Sequence, residues 1–525
     1  MDVLTNARMK KIDEETIARF CPGLELMERA GRKVAEYILT RFPEKAFKAA
    51  IFVGPGNNGG DALVVARHLG GAGRTCSVFY LNAPEDFTMD ALKNYQRLQK
   101  KTSEHKHLKE MSLTRSDWVN LIGKELADAS VIVDGLFGTG LSRPLEGRPL
   151  EVVRMINESG VPVVAIDTPS GINGDTGDVL GGAVRAHSTV TMGYPKLGLL
   201  FHPGKEHVGH LVVADLGFPE ELLQIHSLGV YLNDRAEAAR RLPPRAEDAH
   251  KYQCGTALIV GGSRMYTGAV LLAAEAALRS GCGMVYAAVP ESVRNLIEPE
   301  LREAITFAVP ETPDGTVAPG AWKSIEPYLA KADVIIAGPG LSRHADTTRF
   351  MRELVERSPK PLVIDADGIN ALAGEPGLLK NRNAPIVITP HSGELSRLVS
   401  RDVPTKPLER IEATRDIARS LGVTVVHKGA PTLIASTGGE VWINYYGTSA
   451  LATAGTGDVL TGFIGGFVAQ GAEPLDAACV ACFLHGRSGE AAAQVLGVRG
   501  VIAGDLLQYL GEPLLELEAA AAAGK

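Results

Sequence analysis

Short apolar runs, each closed by glycine, proline or a carboxylate, recur along the whole chain. In the first half they are Ala49–Val53, Thr75–Tyr80, Ser130–Asp134, Val161–Asp167, Thr189–Met192 and Leu211–Asp215. Between them, apolar residues fall at three- and four-residue spacing, the mark of a helix with one buried face. Leu24, Met27, Ala30, Val34 and Ile38 predict a helix over Glu14–Leu39, and further helices are expected at Ala62–Leu69 and at Met89–Leu98 with the charged stretch after it. The second half begins again. Ala257–Val260, Met284–Val289, Val334–Ala337, Leu362–Asp365, Ile386–Thr389 and Thr424–Val426 read as strands, and Ala269–Arg279 reads as a small-residue helix. Pro431–Ala435 and Glu440–Ile443 flank Gly438-Gly439 as a hairpin, and an Ala-rich helical region ends the chain, with no fixed role expected for Leu517–Lys525. Strands that are apolar throughout and alternate with helices predict an α/β fold built twice.

At 525 residues the chain exceeds what one core supports, which predicts two domains. We place them at 1–225 and 250–525, with 226–249 as a charged, proline-bearing transition. Apolar residues make up 45% and charged residues 22%, which excludes a disordered chain. A formal net charge of −7 makes nucleic acid a poor partner, and the one basic run, Lys100–Lys109, is mixed with Glu and His as on a solvated helix face. Of six cysteines only Cys479 and Cys482 are spaced Cys-x-x-Cys, without a second pair or histidines at zinc spacing, so buried thiols are expected. No export signal and no apolar stretch of membrane-spanning length is seen, which predicts a cytoplasmic protein without a membrane partner.

Candidate chemistry lies where the runs end. Ala454–Gly462 sets glycines around Asp458 and leads into the apolar Val459, Leu460, Phe463, Ile464 and Phe467. The glycines allow backbone to approach a ligand, and the first turn of the helix offers N–H groups that hold phosphate. A carboxylate cannot hold phosphate. Asp458 is therefore either a first-turn cap or the base that takes a proton from an attacking hydroxyl. Lys428 follows a strand and precedes Gly429; it either neutralises phosphate or is a loop lysine facing solvent. His391 and Glu394 form a His-x-x-Glu pair without a third ligand, which favours substrate contact over zinc. In the first half, Gly54–Asp61 places Gly-x-Gly-x-x-Gly between a strand and a helix, with Asn58 and Asp61 as oxygen donors for a cation or a ligand hydroxyl. No lysine ends that loop as in a P-loop, and a plain tight turn would also use these glycines. Asp134, Asp167 and Ser170 stand at two further strand ends and can converge with Asn58.

Taken together these pieces resemble two known domains. Met27-Glu28-Arg29-Ala30-Gly31, Gly54–Asp61, Asp134–Ser142 and Asp167–Gly171 with Asp175-Thr176-Gly177 resemble the NAD(P)HX epimerase domain of the YjeF N-terminal family. His250-Lys251, Gly261–Ser263, Gly338–Gly340, Asp365–Asn370, Thr389–Glu394, Lys428-Gly429 and Gly455–Leu460 resemble the ADP/ATP-dependent NAD(P)HX dehydratase, a ribokinase-like family. The resemblance spans residues 9–510 in family order. It implies a Rossmann-like three-layer domain followed by a ribokinase-like α/β domain. It implies repair of NADHX and NADPHX, the reduced cofactors hydrated at C6: the first domain interconverts the R and S forms, and the second phosphorylates the S hydroxyl and eliminates phosphate. ADP or ATP is the implied phosphoryl donor, with Mg2+ accompanying the nucleotide, and a homo-oligomer is the implied assembly. By position, Asn58, Asp134 and Ser170 resemble the family's potassium ligands. Asn57, Asn58, Gly59, Gly60, Asp61, Gly138, Thr139, Gly140, Leu141, Ser142, Arg143, Pro144 and Asp167 resemble its substrate contacts, with Asp167 chosen for acid/base work. Gly340, His391 and Asp458 resemble the dehydratase's substrate contacts, and Lys428 and Gly429 its nucleotide contacts, while Gly455, Thr456 and Gly457 line the anion hole around Asp458.

The chain departs from the family pattern at Ala62, where glycine is usual, in Leu341-Ser342-Arg343 after Gly340, and in Tyr446-Gly447-Thr448-Ser449. The first narrows the first pocket; the last bears on nucleotide grip. Two other functions fit part of the pattern: a ribokinase-type kinase of small alcohols with an accessory binding domain, and a cofactor-binding protein without catalysis.

Overall fold

The computed structural model describes residues 1–44, 47–102, 107–380 and 382–524. The chain divides into two compact units, Asp2–Leu228 and Gly229–Lys525, with Met1 assigned to the second.

In the first unit the strands are β1 (Lys48–Val53), β2 (Thr75–Tyr80), β3 (Leu108–Ser112), β4 (Val131–Gly135), β5 (Val163–Ile166), β6 (Ser188–Met192) and β7 (His210–Ala214). They form one parallel sheet in the order β3-β2-β1-β4-β5-β6-β7. β1 explains the unbroken apolar runs. Ala49, Ile51 and Val53 join a core with the helices Gly23–Arg41 and Asn57–Gly71, while Ala50 and Phe52 join a core with the helices Trp118–Leu126 and Gly147–Glu158. Alternate residues thus point into different cores, and the unit has three layers. The sheet order reverses between β1 and β4, so the loops after those two strands face a common crevice.

The second unit contains β8 (Val230–Leu232), β9 (Thr256–Val260), β10 (Met284–Pro290), β11 (Ile305–Val309), β12 (Val334–Ala337), β13 (Leu362–Ile364), β14 (Ile386–Ile388), β15 (Thr424–His427), β16 (Thr432–Ala435) and β17 (Val441–Asn444). Their order is β11-β10-β9-β12-β13-β14-β15-β16-β17-β8. The strands from β11 to β15 are parallel, β16 is antiparallel to both of its neighbours, and β8 runs parallel to β17. Helices Thr267–Arg279, Thr456–Ala469 and Pro474–Leu496 share one core with Ala257 and Ile259 of β9. Here the order reverses between β9 and β12.

Several boundaries differ from the sequence reading. The helix expected over Glu14–Leu39 is two helices, Asn6–Arg19 and Gly23–Arg41, because Pro22 stands between them as the N-cap of the second and has no N–H to continue the first. The helix expected at Ala62 starts at Asn57, so the glycine loop after β1 is mostly first turn. β3, β8 and β11 were not foreseen. All three lie at sheet edges: β3 is broken by Lys109 and Glu110, β8 is only Val230–Leu232, and β11 leaves Ile305 48% exposed. Most of the transition expected over 226–249 is built into the second unit, as β8 and as the helix Arg235–Arg241, whose Ala238 and Ala239 enter the core. The final residues form the helix Gly511–Ala523, anchored by the fully buried Leu517; Lys525 lies outside the described residues. Of the basic run, Lys100 and Lys101 are exposed at the end of the helix Met89–Thr102, and 103–106 lie outside the described residues. All six cysteines are buried and free, as expected. No described helix is long and apolar enough to cross a membrane.

Gly54, directly after β1, meets the loop after β4 so closely that a Cβ there would lie 1.7 Å from the Leu136 carbonyl oxygen. Gly54→Ala must push that loop away from the crevice. The expected cost is about 1–3 kcal/mol of stability, read as a lower urea midpoint at unchanged m-value; an unchanged midpoint would show that the loop yields freely.

Candidate active sites

In the first unit the crevice is built from three strand ends. After β1, Asn57–Gly60 form a first helical turn whose leading amides have no acceptor within the helix. Asn57 accepts a hydrogen bond from the Thr88 hydroxyl at 3.0 Å. Asn58 is buried, and its side-chain N–H2 has no hydrogen-bond partner. It touches the loop after β4, since a Cβ on Gly138 would lie 3.2 Å from its Cγ and Oδ1. Asp134, at the end of β4, is fully buried. The Ser170 hydroxyl donates to its Oδ1 at 2.6 Å and the Ser170 amide to its Oδ2 at 2.8 Å, while the Phe137 amide donates to the Ser170 hydroxyl at 2.8 Å. Burial pushes the Asp134 carboxyl up to about 6, against the pull of these donors. Asn58, Asp134, Gly138 and Ser170 are thus brought together.

Asp167 stands at the end of β5 with φ +64, a left-handed conformation that is uncommon for a residue with a side chain. Its Oδ1 accepts from Lys196 Nζ at 2.5 Å and from the Met192 amide at 3.1 Å. Lys196 is fully buried, and it also donates to Thr191 Oγ1 at 3.0 Å and to the Met192 carbonyl at 2.9 Å, which occupies all three ammonium hydrogens. Two more carboxyls face this pair. Asp13, on the helix Asn6–Arg19, is pushed up to about 7, first by burial and then, against the pull of Lys196, by Asp167; Asp61 is raised well above the ordinary range by burial, Asp167 and Asp13. The same N-terminal helix reaches the loop after β4: Asn6 donates through its side chain to the Thr139 carbonyl at 3.1 Å and through its amide to Asp175 at 2.5 Å. Leu141 is half-buried, whereas Gly140, Ser142, Arg143 and Pro144 are exposed. Asp13 and Lys196 had escaped the sequence reading. The one available signal for Lys196 was a lone charge inside the apolar stretch that runs on to Phe201.

In the second unit the strand ends of β13, β14 and β15 meet the helix Thr456–Ala469. Lys428 donates to Asp365 Oδ1 at 2.7 Å, and the Thr461 hydroxyl donates to Asp365 Oδ2 at 2.8 Å. A Cβ on Gly457 would lie 3.4 Å from Lys428 Nζ, so the ammonium rests on the helix's first turn. Gly455 caps that turn at φ +92. The Thr456 hydroxyl donates back to the Leu451 and Thr453 carbonyls, both at 3.0 Å, which leaves Thr456 its backbone for an anion. The Thr456 carbonyl accepts from His485 Nε2 at 2.9 Å; burial drives that imidazole down to about 4, so it is neutral. Asp458, in the first turn, is pushed up to about 7 by burial and by the Asp365 carboxylate, with Lys428 opposing. The Lys428 amide donates to the Pro390 carbonyl at 2.8 Å, which places His391 alongside. His391 caps the helix Ser392–Val399, its Nδ1 accepting from the Gly393 amide at 3.0 Å and the Glu394 amide at 3.3 Å. Gly429 lies against the buried Arg410, which donates to the Pro431 and His427 carbonyls at 2.9 and 3.3 Å and so shapes the loop after Lys428. Gly340, at φ +66, packs beneath the Tyr266 carbonyl. Arg410 and His485 are further residues that sequence reasoning had not singled out. Among the described residues no group of three or more His, Cys, Asp or Glu side chains is arranged to hold a metal.

Comparison with known proteins gives two family matches: NAD(P)H-hydrate dehydratase over residues 257–512, and YjeF-related protein N-terminus over residues 23–198. A bifunctional NAD(P)H-hydrate repair enzyme of Moorella thermoacetica is 40% identical over 522 residues, covering 99% of this chain and 97% of the relative. The enzyme of the same name from Thermofilum pendens is 39% identical over 518 residues, covering 98% and 97%. Among solved structures, the ADP/ATP-dependent NAD(P)H-hydrate dehydratase of Bacillus subtilis co-crystallised with ATP/Mg2+ is 32% identical with a TM-score of 0.48, covering 56% of this chain and 100% of that one.

Lys196→Met would leave Asp167 without its cation in a buried place. The expected loss is about 3–5 kcal/mol of stability, as for other broken buried pairs, read by chemical denaturation at neutral pH. A loss below about 1 kcal/mol, the range of exposed pairs, would show that the ammonium does not compensate Asp167.

Proposed function

We propose the following chemistry on the premise that this chain belongs to the bifunctional NAD(P)H-hydrate repair family, a membership carried by 40% identity across nearly its whole length. The protein is an enzyme with two activities: it epimerises R- and S-NAD(P)HX, and it dehydrates the S form to NAD(P)H. The assignment of those activities to particular residues is our reading. Its main support is the arrangement at the start of the helix Thr456–Ala469, where a lysine and a glycine-rich first turn stand beside Asp458.

In the second unit ADP or ATP lays its terminal phosphate on the turn formed by Gly455, Thr456 and Gly457, against Lys428 and Gly429, with Mg2+ accompanying the nucleotide. Amides and ammonium then face the charge that spreads over the transferring group. Gly340 and His391 border the nicotinamide substrate. Asp458 takes the proton of the C6 hydroxyl, and that oxygen bonds to the terminal phosphorus. The bond to the rest of the nucleotide breaks, and AMP or ADP leaves with its electron pair. The C6–O bond then breaks with its electrons going to phosphate, C5 gives up a proton to that departing phosphate, and the C5–C6 double bond of NAD(P)H is restored. A carboxyl held near 7 suits Asp458 to this task, because a base is most useful when its proton affinity matches the working pH.

In the first unit Asn57–Asp61 and Gly138–Pro144 border the substrate, and Asp167 moves a proton at the C6 hydroxyl as that group leaves one face and water returns to the other. Asn58 through its side-chain carbonyl, Asp134 and Ser170 present hard oxygens within one buried cluster that carries a single carboxylate, a donor set that would suit a monovalent cation such as K+. When bound, the ion supplies a fixed positive charge beside the substrate.

Mixed-epimer NADHX supplied with ADP or ATP is expected to return fully to NADH, followed by its absorbance. Asp458→Ala should slow recovery by about 10²–10⁴-fold; recovery at the normal rate would remove Asp458 from the chemistry. Asp167→Asn should recover the S form at the normal rate and the R form only as fast as it epimerises unaided. Rapid recovery of both forms would clear Asp167. Phosphorylation of free alcohols with NADHX untouched would instead indicate a small-molecule kinase.

A further inference from the structure

The phosphoryl-transfer site holds a second carboxylate that the proton transfer does not use. Asp365 is 1% exposed, and both of its oxygens are engaged, one by Lys428 and the other by Thr461. The Thr461 hydroxyl also donates to the Gly457 carbonyl at 2.9 Å, one turn earlier in the helix. A Cβ on Gly457 would lie 3.7 Å from Asp365 Oδ2 as well as 3.4 Å from Lys428 Nζ. Carboxylate and ammonium therefore both press on the turn that carries Asp458.

We propose that Asp365 is the positioning residue of this site: it fixes the Lys428 ammonium over the helix's first turn and sets a second negative charge against Asp458. The inference rests on Asp458 being the base. Lysine has three donors, and Asp365 engages one of them. Asp365 thus aims the ammonium while leaving it able to meet phosphate. It also keeps Lys428 from making Asp458 a weak base, since an ammonium beside a lone carboxylate lowers its proton affinity and a second carboxylate restores it. Asp365 and Lys428 face Asp458; Asp365, Glu394 and Asp458 face Lys428, with His391 alongside it; and His485, which donates to the Thr456 carbonyl, is neutral above about 4.

The test is the pH dependence of dehydration of the S epimer at saturating substrate and nucleotide, using the full chain. Wild-type rate is expected to fall below pH about 7 as Asp458 takes up its proton. Asp365→Asn removes the second negative charge and should move this acid limb down by about 1–3 pH units while lowering the maximal rate. Asp365→Glu, which keeps the charge, should hold the limb near its wild-type position. A limb unmoved in a folded Asp365→Asn protein overturns the proposal, because a merely structural role would lower the rate without moving the limb. Lys428→Met provides an independent reading should Asp365→Asn not fold: with the ammonium gone the two carboxylates face each other, and the limb of the residual rate should move up. A limb left in place there also overturns the proposal. Asp458→Asn separates the two ideas: undiminished turnover in that variant refutes the base assignment itself, whereas lost turnover with an unmoved Asp365→Asn limb refutes only the role of Asp365.

Discussion

A parallel strand covered by helices on both faces can show polar chemistry only at its ends. β1 sends Ala49, Ile51 and Val53 into one core and Ala50 and Phe52 into another, and no side chain of that inner stretch meets water. The same burial holds through β9 and β12. The polar groups of the two active sites therefore gather at strand ends, in the loops that follow them and on the helices that meet those loops, and the crevice where strand order reverses is where loops from neighbouring strands diverge and leave room. The glycines follow from this constraint. Loops that converge over so narrow an opening meet backbone to backbone, as Gly54 meets Leu136.

Both sites settle a buried carboxylate with one lysine, and they do so differently. Lys196 is sealed in, with all three of its donors engaged, so it holds Asp167 in a fixed and sterically uncommon backbone state. Lys428 remains partly open and is held through one contact to Asp365. The difference matches the two reactions. Epimerisation moves a proton and water at one carbon and gains from a rigid carboxylate. Phosphoryl transfer needs a cation that can follow charge as it passes from substrate to leaving nucleotide.

Legibility in the sequence follows the same division. The inner strands were readable because burial on two faces demands an unbroken apolar run; of the four edge strands only β7 kept such a run, while β3 carries Lys109 and Glu110, β8 is three residues long and β11 leaves Ile305 exposed. Pro22 shows how a single residue divides a helix whose apolar spacing runs on regardless. In the sites, residues in glycine loops announced themselves, among them Asn58, Asp134 and Asp458. Lys196 and Asp13 did not, because their partners are carboxylates distant in sequence and only the closed fold makes a carboxyl cluster of Asp13, Asp61 and Asp167 around one ammonium. Asp365 was legible as part of a motif, but the charge it lends to Asp458 is a property of three strand ends meeting one helix.

The two activities in one chain have an energetic logic. Transfer of phosphate from a nucleotide is strongly downhill, so removal of the S form is effectively one-way, whereas exchange between epimers runs close to equilibrium. An enzyme with only the second unit would leave the R form to its own slow exchange. With both units at a fixed ratio of one to one, consumption of S continuously draws R through the first site, and the supply of S cannot fall behind through unequal synthesis of two proteins. The epimerising site then needs no driving force of its own. A rigid carboxylate and a set of oxygens that hold the substrate suffice, and these are what the proposed site at the ends of β1, β4 and β5 offers.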